Sequence, residues 1–477
     1  MSVGLGLRAY HYLRNPSMWH DEAALVLNVL HKNFGELLGP LFFAEAAPPL
    51  FLWAERAVAL TLGEGTHALR LISFLASCLA LVLFVSVARR MLSPAAVPWA
   101  VLLFACSDQL LWHAAEAKPY SSDVLAAVLL LAVYWSTLEW PIERRLLLFA
   151  LPAPAVIFLA YPGCFLYGGL LLALLPAVWQ SRRWTAWLAG SVLALTVLTA
   201  FALLLAGPVR AQRCAPMDQC WAEYFPSWDR PLMVPLWAVY GALNAARYCC
   251  EPVGNVLIGV LAVGAASLWR QGQRAVVVLL LAPVGLALLA SFLRGYPFGG
   301  ARTIVYASPA VILLLAAGLP PSLAWLRSRS RLAAAALIVL FLAPAGLACR
   351  NALVPEARTD CAGAAAYILT HCRPNDRIIS DAWEACYYFR RLGTAFVPTW
   401  DIACWPRPPY PTPSASAAPL SPEELVRLPG ARLWAVFTGA TVGERRQRFD
   451  KLDPKAWRVL EQRELERTTV LLLERSP

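Results

Sequence analysis

Long apolar runs separated by short polar breaks dominate the chain up to about residue 349. A bilayer span needs about 20 predominantly apolar residues, and ten runs approach or meet that length. The pattern predicts spans over residues 70–88, 96–112, 121–138, 146–161, 163–179, 186–206, 253–269, 275–293, 303–319 and 332–349. Solid Leu/Ala/Val blocks argue against transmembrane β-strands, which alternate over roughly 10 residues. Residues 22–69 read as an outer loop with its own helices. Within it, "PPLFLWAERAVALTL" carries Glu55 and Arg56 and suits a helix lying in the interface. A longer outer loop, about 207–252, is rich in Pro, Trp and Tyr.

The first residues, "MSVGLGLRAYHYLRNPSMW", are too short and too polar for a full span. They also lack the charged n-region and cleavage site of a signal peptide. The expectation is that the start lies within a first transmembrane helix; the alternative is a short interfacial helix.

From Arg350 no run is long enough to span. "AGAAAYILTHC" reads as helix, "DRIIS" as strand and "AWEACYYFRR" as helix. The Pro-rich "WPRPPYPTPSASAAP" reads as loop. "SPEELVRL" reads as a helix opened by a capping box, Ser421 with Glu424. "RLWAVFTG" is strand, "VGERRQRFDKL" helix and "TTVLLLERS" strand. Alternating elements predict a small α/β layer domain.

Composition agrees with this division. The chain of 477 residues is 59% hydrophobic and 15% charged, with mean hydropathy +0.55. Soluble domains sit near 45–50% apolar and roughly 25% charged. The net charge of +11 would suit a nucleic-acid partner, but its placement argues against one. Arg89-Arg90, Arg144-Arg145, Arg182-Arg183, Arg270 with Arg274, and Arg327, Arg329 and Arg331 fall in every second loop. The short alternate loops hold only Lys118, Arg294 and Arg302. The positive-inside rule places the Arg clusters in the cytoplasm. The alternate loops, the Asp21-Glu22 segment and everything after Cys349 then face outward. Several cysteines fall in outer regions, where an oxidising compartment permits bridges. Cys214 with Cys220 would close a short loop, and Cys361 and Cys372 flank one helix. No cysteine spacing makes a convincing zinc site.

Three stretches carry candidate chemistry. In "NPSMWHDEAALVLNVLHKNF", the pair Asp21-Glu22 sits at a membrane edge. A carboxylate there can deprotonate an acceptor hydroxyl or amine if partial burial raises its pKa. The plainer reading is that Asp21 caps the following helix and Glu22 favours its N-terminus. In "HAAEAKPYSSDVL", His113, Glu116, Lys118, Tyr120 and Asp123 gather at the outer ends of two spans. Lys and Tyr beside a carboxylate suit phosphate binding; the alternative is a solvated turn with Lys118 snorkelling. In "LRGYPFGGARTIVYASPA", Arg294 and Arg302 flank a Gly/Pro-rich outer loop. Guanidinium groups bind phosphate bidentately, though an interfacial anchor pair with Tyr296 and Tyr306 is the competing reading. "YPG" at Tyr161 and "NAARYCC" with Arg247 are weaker stretches of the same kind. The predicted ionisable residues gather at the outer face, unlike the scattered intramembrane charges of an ion-coupled transporter.

An acidic pair in the first outer loop, "APPLFLW", "LRLISFLAS", "EAKPYSSDVL" and "ARTIVYASPAVILLLAAGL" together resemble the glycosyltransferase family 39-like proteins of bacteria. These belong to the GT-C superfamily, with protein O-mannosyltransferases and the lipid A aminoarabinose transferase as relatives. The resemblance covers almost the whole chain. It implies a polytopic α-helical membrane protein with about 10–11 transmembrane helices and a small C-terminal extracytoplasmic α/β domain. Residues 1–349 would form the catalytic membrane domain, with outer loop 15–69 carrying the acidic pair, and 350–477 the outer domain. It further implies a bacterial inner-membrane glycosyltransferase with a polyprenyl-phosphate sugar donor, a lipid or glycan acceptor, and an inverting displacement. Carried over residue by residue, Asp21 is the base and Glu22 its partner. Lys118 and Tyr120, with Glu116 nearby, match the family's basic-Pro-Tyr stretch, and Arg302 matches the Arg that opens a late span. Trp19-His20 depart from the more apolar neighbour expected beside the base. Family members vary in metal use, so the cofactor is unknown and no metal ligand is assigned. A lipid-linked-sugar flippase, or an O-antigen-type ligase or polymerase, remains the alternative function.

Overall fold

The computed structural model describes residues 1–398, 432–450 and 457–475. Contacts divide the chain into two compact units. The first comprises Met1–Leu13, Ala47–Glu55 and Arg70–Val354; the second comprises Arg14–Ala46, Arg56–Leu69 and Pro355–Pro477. The second unit therefore combines the C-terminal segment with residues 14–46 and 56–69, where the sequence suggested a division at 349/350.

The first unit is a helical bundle. Among the described residues, six helices are long and apolar enough to cross a membrane: Leu71–Met91, Gly163–Ser181, Trp184–Gln212, Arg274–Phe292, Arg302–Arg327 and Arg331–Leu353. Val97–Cys106, Tyr120–Ser136 and Ile258–Arg270 are shorter apolar helices. These helices are apolar all round, as expected where one face meets protein and the other lipid. On Trp184–Leu204, for example, Leu193 and Val197 are buried while Leu188, Leu195, Leu198 and Leu203 are exposed. Every predicted span contains helix; 253–269 is helical only from Ile258, and two spans are broken. The expected 146–161 divides into Ile142–Ala150 and Ala153–Leu159, because Pro152 and Pro154 cannot donate to the preceding turn. The expected 96–112 divides into Val97–Cys106 and Asp108–Ala114, with Ser107 extended between them.

Arg8 holds this second break. It lies on the helix Ser2–Arg14 and is fully buried. Its Nη1 and Nη2 donate to the carbonyls of Ala105 and Phe104, each at 3.3 Å. The last carbonyls of any helix lack intrahelical partners; here a guanidinium supplies them and its charge suits the C-terminal end. The Arg-rich loops carry an aromatic girdle as well. Trp140, Trp179, Trp184, Trp187, Trp269 and Trp325 are all exposed beside Arg clusters, the placement that interfacial Trp favours.

The second unit is built on a five-stranded sheet: β1 (Arg377–Ser380), β2 (Phe396–Pro398), β3 (Arg432–Thr438), β4 (Trp457–Leu465) and β5 (Thr468–Arg475), in the order β2-β1-β3-β5-β4. β1 pairs in parallel with β2 and β3, while β5 is antiparallel to β3 and β4. Ile379, Leu433, Ala435, Phe437, Leu471 and Leu473 form its core. β1, β3 and β5 match the strands read from their apolar runs; β2 and β4 were not foreseen. β4 is an edge strand exposed along nearly all its length, with a bulge at Val459/Glu461. Its Arg and Glu side chains give no buried alternation to read, and they discourage edge-to-edge pairing. The helix Cys361–His371 is capped by Asp360, whose side chain accepts from the Gly363 amide at 2.8 Å. The capping-box helix at Ser421 and Glu424, the Pro-rich loop and Cys404 lie outside the described residues. Among the described cysteines none is disulfide-bonded; Cys361 is buried within electrostatic reach of Cys386.

Candidate active site

The acidic pair belongs to the second unit. It opens the helix His20–His31, which packs on the helix Trp383–Tyr388. The Met18 amide donates to the Tyr388 hydroxyl at 2.9 Å, and Ser17 Oγ donates to Asp360 Oδ1 at 2.8 Å. Phe43 and Trp383 meet with ring centroids 5.2 Å apart. The predicted capping role of Asp21 is not what the structure shows. Trp19 is the N-cap, without a side-chain cap bond, and Asp21 lies inside the first turn. Its carboxylate sits 3.3 Å from His20 Nε2 and its side chain is 13% exposed. Glu22 is completely buried.

A further carboxylate in this unit escaped the sequence reading. Glu384, in "AWEACYYFRR", is buried and accepts from Thr359 Oγ1 at 2.9 Å. Burial pushes its pKa up to about 7, and the charges of Asp381 and Asp21 act in the same direction. Asp381 itself pairs with Arg448 and accepts from the Thr438 amide at 3.0 Å. Only the fold brings residues 21 and 384 within electrostatic reach of each other, so no local pattern marks Glu384.

The basic candidates belong to the first unit. The turn between Asp108–Ala114 and Tyr120–Ser136 carries Glu116 and Lys118. Ser73 Oγ donates to the Lys118 carbonyl at 2.8 Å, and the Lys118 amide donates to the Glu116 carbonyl at the same distance. The first bond staples the turn to Leu71–Met91. Lys118 is 3% exposed, unlike the solvated lysine of the snorkelling alternative. Glu116 turns inward: its Oε2 lies 2.8 Å from His113 Nδ1, and His113 Nε2 lies 2.8 Å from the Tyr248 hydroxyl. The Tyr120 ring packs on His113 with centroids 4.6 Å apart.

Arg302 starts the 3-10 turn Arg302–Ala307 that leads into Ser308–Arg327. Its guanidinium carbon lies 5.5 Å from the Trp221 ring centroid. Arg302, Tyr120 and Glu116 all act electrostatically on Tyr248, so four of these side chains converge on one locality. Arg294 does not share this setting. It is exposed past the end of Arg274–Phe292, at φ +51, and among the described residues its side chain makes no hydrogen bond or ion pair. That exposure fits the interfacial-anchor alternative better than a phosphate ligand.

Asp123, also buried, lies one turn before Ala127 on Tyr120–Ser136. Ala127 lines a narrow apolar crevice among Tyr120–Ser136, Gly163–Ser181, Arg274–Phe292 and Ser308–Arg327. Leu130, Leu166, Leu280, Val284 and Tyr306 also line it. Among the described residues, no three His, Cys, Asp or Glu side chains form a metal-sized cluster.

No family model and no curated protein matches the chain. The fold, however, defines a class: a multi-pass membrane protein with the GT-C fold and a small sheet domain. Among solved structures, it is similar to apo ArnT from Cupriavidus metallidurans, at 12% identity and TM-score 0.53, over 97% of this chain and 96% of that one. It is similar also to the same ArnT bound to undecaprenyl phosphate, at 13% identity and TM-score 0.55, over 99% and 96%.

Proposed function

We propose that the protein is a membrane glycosyltransferase that moves a sugar from a polyprenyl-phosphate-linked donor to an acceptor at the outer face of a bacterial inner membrane. The observation that carries this reading is the fold likeness, along nearly the whole chain, to a structure holding undecaprenyl phosphate. The residues supply compatible chemistry. Lys118 and Arg302 hold the donor phosphate, with Tyr120 beside them. The apolar crevice beside Ala127 takes part of the isoprenoid tail, as apolar clefts between helices do.

Asp21 removes the acceptor's proton as its oxygen or nitrogen attacks the anomeric carbon. The bond to the phosphate oxygen breaks on the opposite side, which inverts the anomeric centre. A phosphate leaving group departs as an anion, so it needs fixed cations more than an acid. Glu22, completely buried, orients the start of the helix that carries the base.

The direct test is turnover by the purified protein of a panel of labelled undecaprenyl-phosphate sugars, with envelope lipid extract as acceptor. The expected result is release of undecaprenyl phosphate and a labelled lipid or glycan product. Failure to bind or turn over any donor in the panel overturns the reading. Orientation is tested separately at Cys220, which is exposed. A membrane-impermeant thiol reagent should label it in intact, outer-permeabilised cells; labelling only after inner-membrane lysis reverses the topology.

A further inference from the structure

The chain Glu116–His113–Tyr248 has no role in the scheme above. A carboxylate at 0% exposure and an imidazole at 4% are costly to bury, and such groups persist where their partners satisfy them. Both bonds of the chain are 2.8 Å. They tie the turn after Asp108–Ala114 to the helix Val234–Cys249, which lies more than a hundred residues later. Ser121 Oγ fixes the same turn by donating to the His113 carbonyl at 2.9 Å. The chain also has a direction. Glu116 and His113 are buried, whereas Tyr248 is half-buried, as are Tyr120 and Arg302. It thus runs from two buried groups to a half-buried phenol within electrostatic reach of Arg302.

We propose that Tyr248 is a binding residue for the donor phosphate, to which its hydroxyl donates a hydrogen bond, and that Glu116 and His113 are positioning residues that aim that hydroxyl. The inference rests on the proposed polyprenyl-phosphate donor. A phenol has one proton to give. Directed at His113 Nε2, that proton is spent inside the chain. With a proton on Nε2, the imidazole donates to the phenol oxygen and the O–H is released towards the anion. A carboxylate accepting from Nδ1–H supports this arrangement, because it balances the charge of an imidazole protonated on both nitrogens. The charged and titratable side chains around the imidazole are Glu116 and Tyr120 from its own segment, Tyr248 from Val234–Cys249, and Arg8 from Ser2–Arg14 across a shared cavity. Arg302 acts electrostatically on Tyr248.

The experiment compares binding of undecaprenyl phosphate and undecaprenol to the full-length protein in nanodiscs. Only the first probe carries the anion. Tyr248→Phe should weaken undecaprenyl phosphate roughly tenfold, the size of one hydrogen bond to a charged group, and leave undecaprenol unchanged. His113→Gln should weaken it similarly, and the double variant should be no weaker than either single variant. Adding Lys118→Ala to Tyr248→Phe should multiply the losses, since Lys118 contacts the anion independently. The inference is overturned if Tyr248→Phe binds undecaprenyl phosphate as wild type does, or loses both probes equally. A wild-type protein that does not prefer undecaprenyl phosphate over undecaprenol overturns the donor reading instead.

Discussion

Arg8 Nε donates to Ser77 Oγ at 2.8 Å, joining the first helix to the helix Leu71–Met91 in the bundle interior. The same guanidinium reaches the carbonyls of Phe104 and Ala105 at the break in the expected second span. One side chain thereby sets where Asp108–Ala114 begins, and so where His113 stands. Arg8→Met keeps the apolar stem and removes every donor. A buried carbonyl left unsatisfied costs about 1–3 kcal/mol, so the loss should be on the order of 3 kcal/mol. The thermal midpoint in detergent should fall clearly, and less for Arg8→Lys, which keeps the charge without the fork. A midpoint equal to wild type for Arg8→Met would show that the break does not depend on Arg8.

The two cation candidates should separate from Arg294. On the proposed reading, Lys118→Ala and Arg302→Ala each remove a charge-assisted contact to the donor phosphate, worth roughly 1.5–3 kcal/mol. Undecaprenyl phosphate affinity should therefore fall by roughly 10- to 150-fold in either variant. Arg294, exposed at the helix end, should bind as wild type after Arg294→Ala. Equal losses at all three positions would point to a diffuse surface potential, and such losses would shrink steeply with added salt.

The bundle was legible because a span advertises itself: lipid tolerates no unpaired backbone, so apolar length and helix go together. Its breaks were less legible. Pro152 and Pro154 announce one, but the break at Ser107 depends on Arg8, roughly a hundred residues earlier in the chain. Asp21, Lys118 and Arg302 stood out as charges beside apolar runs. Glu384 and Tyr248 did not, because each gains its significance from partners distant in sequence: Asp21 and Asp381 for one, His113 for the other. β4 hid for the opposite reason, since an exposed edge strand buries neither face and so carries no periodic signal.

Glu384 makes stability depend on pH in a defined direction. Its carboxyl is raised from 4.5 to about 7, chiefly by burial. Below about pH 4.5 both folded and unfolded forms carry the proton, and no penalty arises. Between there and about pH 7 the unfolded chain ionises first, so stability falls as pH rises. Above about pH 7 the penalty is constant, on the order of 3 kcal/mol at ~1.4 kcal/mol per unit. Glu384→Gln keeps an acceptor for Thr359 without the charge. It should raise the thermal midpoint at pH 8 and leave it nearly unchanged at pH 4.5. A gain of the same size at both values would trace the effect to packing rather than ionisation.

The proposed role of Asp21 as base can be separated from helix formation. Trp19, not Asp21, occupies the N-cap, and no side chain caps the helix there. Removing the Asp21 charge forfeits its interaction with the helix N-terminus, about 0.3–1 kcal/mol, and its contact to His20, and lifts its repulsion of Glu384. Asp21→Asn keeps the shape but cannot take the acceptor's proton. Expression, thermal stability and undecaprenyl phosphate binding should stay close to wild type, while turnover falls by about 10²–10⁴, the range for a general base. Asp21→Ala should behave alike, because there is no cap to lose. Glu22→Gln should show the reverse balance, with a larger stability loss and a smaller loss of turnover, since that carboxylate is buried throughout. Wild-type turnover by Asp21→Asn would move the base elsewhere. Glu384 would then be the next group to test, because it lies within electrostatic reach of Asp21 and its pKa of about 7 suits proton transfer at neutral pH.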